Sequence, residues 1–214
     1  MELSFIRLID YIGTFAFAIS GLRMAAIKHY DWFGAFVVGL VTAVGGGTLR
    51  DLFLGQTPFW MTDGSYLVCT GLAFLFAVLF RKQLFEFNNT FFVFDTIGLG
   101  LFVVVGFQKT VDAGYSQWLA IIMGTITGAA GGVIRDVLLA QVPLIFRKEI
   151  YALACVVGGL VYWLCNIIGF GGVISPTAAA LSVILTRFIA MKYNIGLPLL
   201  TKYEEADRYC TSWR

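Results

Sequence analysis

Sliding the chain against itself by 85 residues superposes its first three apolar spans on the next three without a gap. Asp10 meets Asp95, Gly13 meets Gly98, Gly21 meets Gly106 and Gly39 meets Gly124. Further on, Thr42 meets Thr127, Arg50-Asp51 meets Arg135-Asp136, Gln56 meets Gln141, Pro58 meets Pro143 and Tyr66 meets Tyr151. Most of the matched residues are Gly, Pro or polar, so shared hydrophobicity does not account for them. The chain reads as a duplicated three-helix unit followed by a seventh helix. Because three is odd, the second copy enters from the opposite side, which makes an inverted repeat of the kind that builds sites near a bilayer midplane.

A bilayer is the expected setting, since 59% of the 214 residues are hydrophobic, 13% are charged and the mean hydropathy is +0.84. That is too apolar for a water-soluble domain. Windows of about 20 residues, long enough to cross the hydrocarbon, fall at 4–24, 31–54, 64–80, 90–108, 117–140, 150–168 and 172–191. The expected fold is therefore an all-α integral membrane protein of seven transmembrane helices. Residues 1–192 form one transmembrane domain, with repeat 1 at about 5–82, repeat 2 at about 90–167 and helix seven at about 172–191; 193–214 is a polar cytoplasmic tail. The first apolar stretch carries Asp10 and lacks a small-x-small cleavage site, so it is expected to remain as a span.

Orientation follows from Lys and Arg. With the N-terminus outside, the inner side holds Arg23, Lys28, Arg81, Lys82, Arg147, Lys148, Lys192, Lys202, Arg208 and Arg214, and the outer side only Arg7 and Lys109. The positive-inside rule then puts the C-terminus in the cytoplasm of a multi-pass inner (plasma) membrane protein.

The chemistry concentrates in one stretch written twice, Gly45-Gly46-Gly47-Thr48-Leu49-Arg50-Asp51 and Ala130-Gly131-Gly132-Val133-Ile134-Arg135-Asp136. Each glycine lowers helix stability by roughly 1 kcal/mol relative to alanine, so a kink is expected past the middle of the second and fifth spans. Irregular backbone at that depth is tolerated where it is buried in protein or lines a cavity, and freed carbonyls there can replace part of a cation's hydration shell. Positions four apart share a helix face. Ala35, Gly39, Ala43 and Gly47, repeated as Ala120, Gly124, Gly128 and Gly132, make a small-residue stripe suited to close helix packing. The neighbouring face carries Thr42, Gly46 and Arg50, matched by Thr127, Gly131 and Arg135, and is expected to turn toward a cavity between the repeats.

Charges near the bilayer centre usually face such an interior and mark a pathway. Asp10, Asp51, Asp95 and Asp136 supply four carboxylates for the guanidiniums of Arg50 and Arg135, and Arg-Asp pairing is expected to tie the two repeats together. Lys109, at the end of the fourth span, reads as an interfacial lysine and a candidate gating charge. His29 is a loop residue. No nucleophile with a base and no metal-ligand spacing is present, the cysteines at 69, 155, 165 and 210 included, so neither an enzyme nor a fixed metal or cofactor site is expected. The net charge of +2 and the lack of a long basic run give no reason to expect nucleic acid.

Two three-helix repeats each carrying Gly-Gly-x-x-Arg-Asp, with a seventh helix, resemble the prokaryotic branch of the trimeric intracellular cation channel family over about residues 5–192. The resemblance implies a homotrimer in membrane lipid, each protomer with an hourglass pore kinked at Gly45, Gly46 and Gly47 and at Gly131 and Gly132. It also implies passage of potassium, only transiently held in the pore, with sodium less well excluded. Ala130 departs from the glycine triplet, which implies a milder second kink. No Thr-Val-Gly-Tyr-Gly filter is present, so sharp potassium selectivity is not expected. Related bacterial sequences carry the label of glycine transporter. The alternative is thus a secondary transporter of a small zwitterion such as glycine, and a third reading is a membrane scaffold.

Overall fold

The computed structural model describes residues 2–86, 89–147 and 150–198, and every element among them is helical. The expected tail lies outside the described residues from position 199 onward. Seven helices follow the apolar windows: α1 (Glu2–Ile27), α2 (Trp32–Phe53), α4 (Ser65–Leu79), α6 (Thr90–Asp112), α7 (Gln117–Leu138), α8 (Ala152–Ile168) and α9 (Ile174–Lys192). Two short helices that the windows did not separate, α3 (Phe59–Thr62) and α5 (Arg81–Glu86), flank α4, and a 3-10 turn at Leu144–Phe146 stands where the second copy would have α3. Five helices are long and apolar enough to cross a membrane: α1 from Phe5, α2, α6, α7 and α9. The 15 residues of α4 and 17 of α8 are apolar but shorter; at 1.5 Å per residue, 15 residues reach only roughly 22 Å.

Local chemistry sets the boundaries. Asp31, in extended backbone, caps α2 by accepting from the Gly34 amide at 2.7 Å, as a good N-cap does. Gly169 ends α8 in the left-handed region at φ 88°. After α2 the chain reverses at Gly55 (φ 68°); after α7 the same reversal falls on Ala140 (φ 51°), its counterpart 85 positions on.

At the centre α1 packs on α2 and α6, and α7 packs on α2 and α6; α4 lies against α1 and α2, α8 against α6 and α7, and α9 covers α6 and α8. These contacts are possible because glycine removes the side chain where helices meet. A Cβ on Gly13 would strike the Phe102 ring and one on Gly98 the Phe17 ring, and these rings meet edge-on at 5.1 Å. Gly39 lies against Leu22 and the Ala18 carbonyl; Gly124 lies against Phe107 and the Val103 carbonyl. Each pair becomes the other when 85 is added or subtracted, so the contacts of the two copies are reciprocal.

Candidate functional site

The glycine runs sit where α2 and α7 touch. A Cβ on Gly46 would fall on the carbonyl oxygen of Thr127, and a Cβ on Gly131 on that of Thr42. Here backbone meets backbone. Helix continues unbroken through Gly45–Gly47 and through Ala130–Gly132, since close tertiary packing offsets the poor helix propensity of glycine. The other members of the runs meet side chains: Gly45 the tip of Ile134, Gly47 the ring of Phe59, Gly132 the hydroxyl of Tyr151.

Thr42 and Thr127 are fully buried, and each hydroxyl donates to the carbonyl four residues back, Val38 and Met123, at 2.6 Å. Those hydroxyls lie against Gly21 of α1 and Gly106 of α6. Sequence reasoning turned the threonine faces toward a cavity between the repeats. In the structure each threonine offers the opposite repeat its carbonyl instead, because α2 and α7 are packed on two sides and the hydroxyl stays on its own helix.

A cluster of buried charge lies on each side of this waist. In the first, Arg50, 1% exposed, donates from Nε and Nη2 to Asp51 Oδ1 at 2.8 and 2.7 Å, while Asp51 Oδ2 accepts from the Phe59 amide at 2.8 Å. Asp10 Oδ2 receives the Tyr66 hydroxyl at 2.8 Å and Lys109 Nζ at 3.2 Å. The Phe59 ring is shared, with Lys109 Nζ 4.9 Å and the Arg50 guanidinium 5.6 Å from its centre, a placement that favours cations on the ring face.

In the second, Arg135 donates from Nε to Asp136 Oδ1 at 2.9 Å, and from Nη1 to Asp95 Oδ1 at 2.5 Å and Ser20 Oγ at 2.8 Å. Asp136 Oδ2 accepts from the Leu144 amide at 3.0 Å, repeating the Asp51 clamp at the same spacing. Arg187 of α9 approaches Asp95 Oδ2 at 3.8 Å and lies 4.6 Å from the Tyr151 ring centre.

The carboxylates are balanced by residues that sequence reasoning had not joined to them. It set four carboxylates against two guanidiniums; the structure adds Lys109 to the first cluster and Arg187 to the second, so each holds two positive and two negative groups. Neutral pairing of this kind is what makes buried charge tolerable. No Arg-Asp pair among the described residues joins one repeat to the other: Arg50 pairs with Asp51, Arg135 with Asp95 and Asp136, and Arg187 reaches Asp95 from α9. Among the polar links that cross between the repeats are Lys109 to Asp10, Arg135 to Ser20, Ser20 to Asp95 and the Tyr30 hydroxyl to the Leu138 carbonyl.

One substitution explains why the clusters differ. In the first, Phe59 fills the notch at Gly47 and Tyr66 reaches Asp10; in the second, the Phe59 position is Leu144 and Tyr151 occupies the notch at Gly132. Among the described residues the Tyr151 hydroxyl makes no hydrogen bond. Tyr66, Tyr151 and Arg187 were missed as site residues, although the two tyrosines align at the repeat offset. No group of His, Cys, Asp and Glu among the described residues could hold a metal ion.

The sequence model of a family described as Glycine transporter matches residues 7–82 and 92–166. A UPF0126 membrane protein of Vibrio cholerae is 39% identical over 200 residues, 92% of this chain and 84% of the relative. The UPF0126 inner membrane protein YadS of Escherichia coli K12 is 38% identical over 195 residues, 89% of this chain and 93% of its own. Among solved structures, the TRIC trimeric intracellular cation channel orthologue from Rhodobacter sphaeroides superposes with a TM-score of 0.85 at 30% identity, covering 90% of this chain and all of that one. A second TRIC cation channel structure superposes at 0.82 with 34% identity, covering 92% and 97%. By its likeness to solved prokaryotic channel structures over most of its length, with which the matching family model and the UPF0126 relatives are compatible, this multi-pass membrane protein belongs to the prokaryotic branch of the trimeric intracellular cation channel family.

Proposed function

We propose that the chain is a channel for monovalent cations, chiefly potassium with sodium less well excluded, assembled as a homotrimer with one pore in each protomer. In this reading the shorter α4 and α8 span the inner membrane together with the five long helices, α1–α2–α4 and α6–α7–α8 are inverted repeats, the N-terminus lies outside and residues 193–214 are cytoplasmic. The reciprocal contacts at Gly13–Phe102 and Gly98–Phe17 support a two-fold relation between the copies. The likeness to solved TRIC cation channels supports the activity and the trimer.

The observation that carries the reading is the waist itself. Thr42, Gly46, Thr127 and Gly131 bring two backbones together with no side chain between them, so a small rotation or bend of α2 against α7 at Gly45–Gly47 and Gly131–Gly132 opens a path lined by carbonyl oxygens. Such oxygens stabilise partly dehydrated cations. The charge clusters stand on either side, Asp10, Arg50, Asp51 and Lys109 on one and Asp95, Arg135, Asp136 and Arg187 on the other. In both, the guanidiniums are neutralised and do not repel a cation. Lys109, half-buried and held by a single carboxylate, is the gating charge of this scheme.

Recording from purified protein in planar bilayers tests the proposal. Stepwise currents in potassium that reverse close to the potassium potential are expected. The second reading, a transporter of a small zwitterion, is favoured by the description of the matching family model. Saturable glycine uptake into liposomes, coupled to a proton or sodium gradient and unaccompanied by unitary currents, would replace the channel with it.

A further inference from the structure

A groove of about 1150 Å³ runs between α1, α2, α4 and α5 at the end of the bundle that carries the α1–α2 turn. Its deeper wall is apolar, with Leu22, Phe74 and Ala77 among its residues; Arg23, 8% exposed, lies buried along it, and the exposed Arg81, Lys82 and His29 are at its mouth with Trp32 beside them. The acidic residues at that mouth are Asp31, whose carboxylate already caps α2, and Glu86. Trp32 is 73% exposed, the disposition of a side chain that anchors at a membrane interface.

The duplication supplies an internal control. Adding 85 converts Ala77 to Tyr162, Leu22 to Phe107, Arg23 to Gln108, Arg81 to Asn166 and Lys82 to Ile167. In the second copy Tyr162 stacks on Phe107 with ring centres 4.3 Å apart and donates to Gln108 Oε1 at 2.6 Å, so the corresponding space is filled by protein. The same architecture is thus plugged in one half, with no basic counterpart of Arg23, Arg81 or Lys82 and with the Asp112 carboxylate accepting from Gln108 Nε2 at 2.7 Å, and open and basic in the other. Both differences change together.

We propose that an anionic phospholipid of the leaflet facing the α1–α2 turn seats in this groove, its phosphate between Arg81 and Lys82 and an acyl chain along Leu22, Phe74 and Ala77. Basic pockets between transmembrane helices are suited to anionic head groups, and a groove open sideways at the end of a span is filled from the bilayer. A soluble phosphate would use the mouth and leave the apolar wall bare. Arg23 binds the Leu84 carbonyl at 3.0 Å and so fixes α5, which carries Arg81 and Lys82, against α1. Lipid in the groove would therefore brace the α1–α4 face, whose counterpart in the second copy is closed by Tyr162 and covered by α9.

Trp32 reports on this site. In protein whose other tryptophans are replaced by Phe, reconstituted in phosphatidylcholine vesicles, brominated phosphatidylglycerol should quench Trp32 at lower mole fraction than brominated phosphatidylcholine. The preference should fall by about fivefold for each basic residue removed, and so vanish in Arg81→Gln/Lys82→Gln, whose side chains are exposed. Ala77→Tyr, which copies the plug of the other half, should reduce quenching by both lipids. Native mass spectrometry of the protein with its tryptophans intact reads the same preference as retained phosphatidylglycerol adducts, and decides the matter if the tryptophan replacements do not fold. Equal quenching and equal retention of the two lipids, or a preference that survives both variants, would overturn the proposal. Displacement by millimolar glycerol 3-phosphate would overturn the lipid as occupant.

Discussion

Lys109 Nζ lies 3.2 Å from Asp10 Oδ2, joining residues 99 apart in sequence and fastening α6 to α1. Asp10 is 3% exposed and its other partner at that oxygen is the neutral Tyr66 hydroxyl, so among the described residues the lysine is the cation that pairs with it. Lys109→Met should lower stability by about 1–2 kcal/mol, less than the roughly 3–5 kcal/mol for a fully buried pair, because the lysine side chain keeps 30% exposure. Adding Asp10→Asn should restore most of the loss. Thermal unfolding of the two single variants and the double in detergent forms a cycle; additive losses would show that the pair is uncoupled.

Arg135 and Arg50 align in sequence yet carry different loads. Arg135 bonds Asp95, Asp136 and Ser20, whereas Arg50 bonds Asp51. Arg135→Met leaves two buried carboxylates less compensated and should cost about 3–5 kcal/mol, enough to lower the yield of monodisperse protein. Arg50→Met should be milder. Combining Arg135→Met with Asp136→Asn, which leaves Asp95 to Arg187 and the cluster neutral, should recover folding, read by size-exclusion profile and unfolding temperature; failure of that rescue would place the role of Arg135 elsewhere.

The helices were legible because apolar runs of span length have few other destinations, and the observed ends lie within a few residues of the expected windows. The duplication was legible because Gly, Pro and Asp are rarely matched by chance in so apolar a chain. The partners of Asp10 and Asp95 were not. Lys109 aligns with Met24 and Arg187 lies outside the repeats, so no comparison of one copy with the other reveals that they complete the two clusters. Nor does helical periodicity tell the face of Thr42 that meets α1 from the face that meets α7, since both are buried and both are lined by small residues. The exchange of Phe59 for Leu144 looks conservative, yet it decides whether a tyrosine reaches a carboxylate or a glycine notch.

Gly55 and Ala140 give a test of the reversals that follow α2 and α7. Both have positive φ, 68° and 51°, where a Cβ costs roughly 1 kcal/mol. A Cβ on Gly55 meets nothing within 4 Å, so Gly55→Ala isolates the backbone effect and should destabilise by about 1 kcal/mol. Ala140→Gly should stabilise, by somewhat less because the unfolded chain gains freedom. Opposite shifts in unfolding temperature are expected; shifts of the same sign would mean that conformational strain does not dominate at these turns.

The three glycines of the first run are equivalent in sequence and unequal in space, which lets the waist be tested without filling it. A methyl on Gly45 would meet the Cδ1 of Ile134 at 2.9 Å, the far end of a side chain that can turn aside. A methyl on Gly46 would meet the Thr127 carbonyl, and one on Gly131 the Thr42 carbonyl, and backbone cannot turn aside. Gly45→Ala should therefore leave stability within about 0.5 kcal/mol. Gly46→Ala and Gly131→Ala should cost about 1–3 kcal/mol, the usual range for overpacking, and push α2 from α7. If the waist is the constriction, these two variants should alter unitary conductance in bilayers while Gly45→Ala does not. Unchanged conductance in folded Gly46→Ala and Gly131→Ala protein would move the pathway away from the α2–α7 contact.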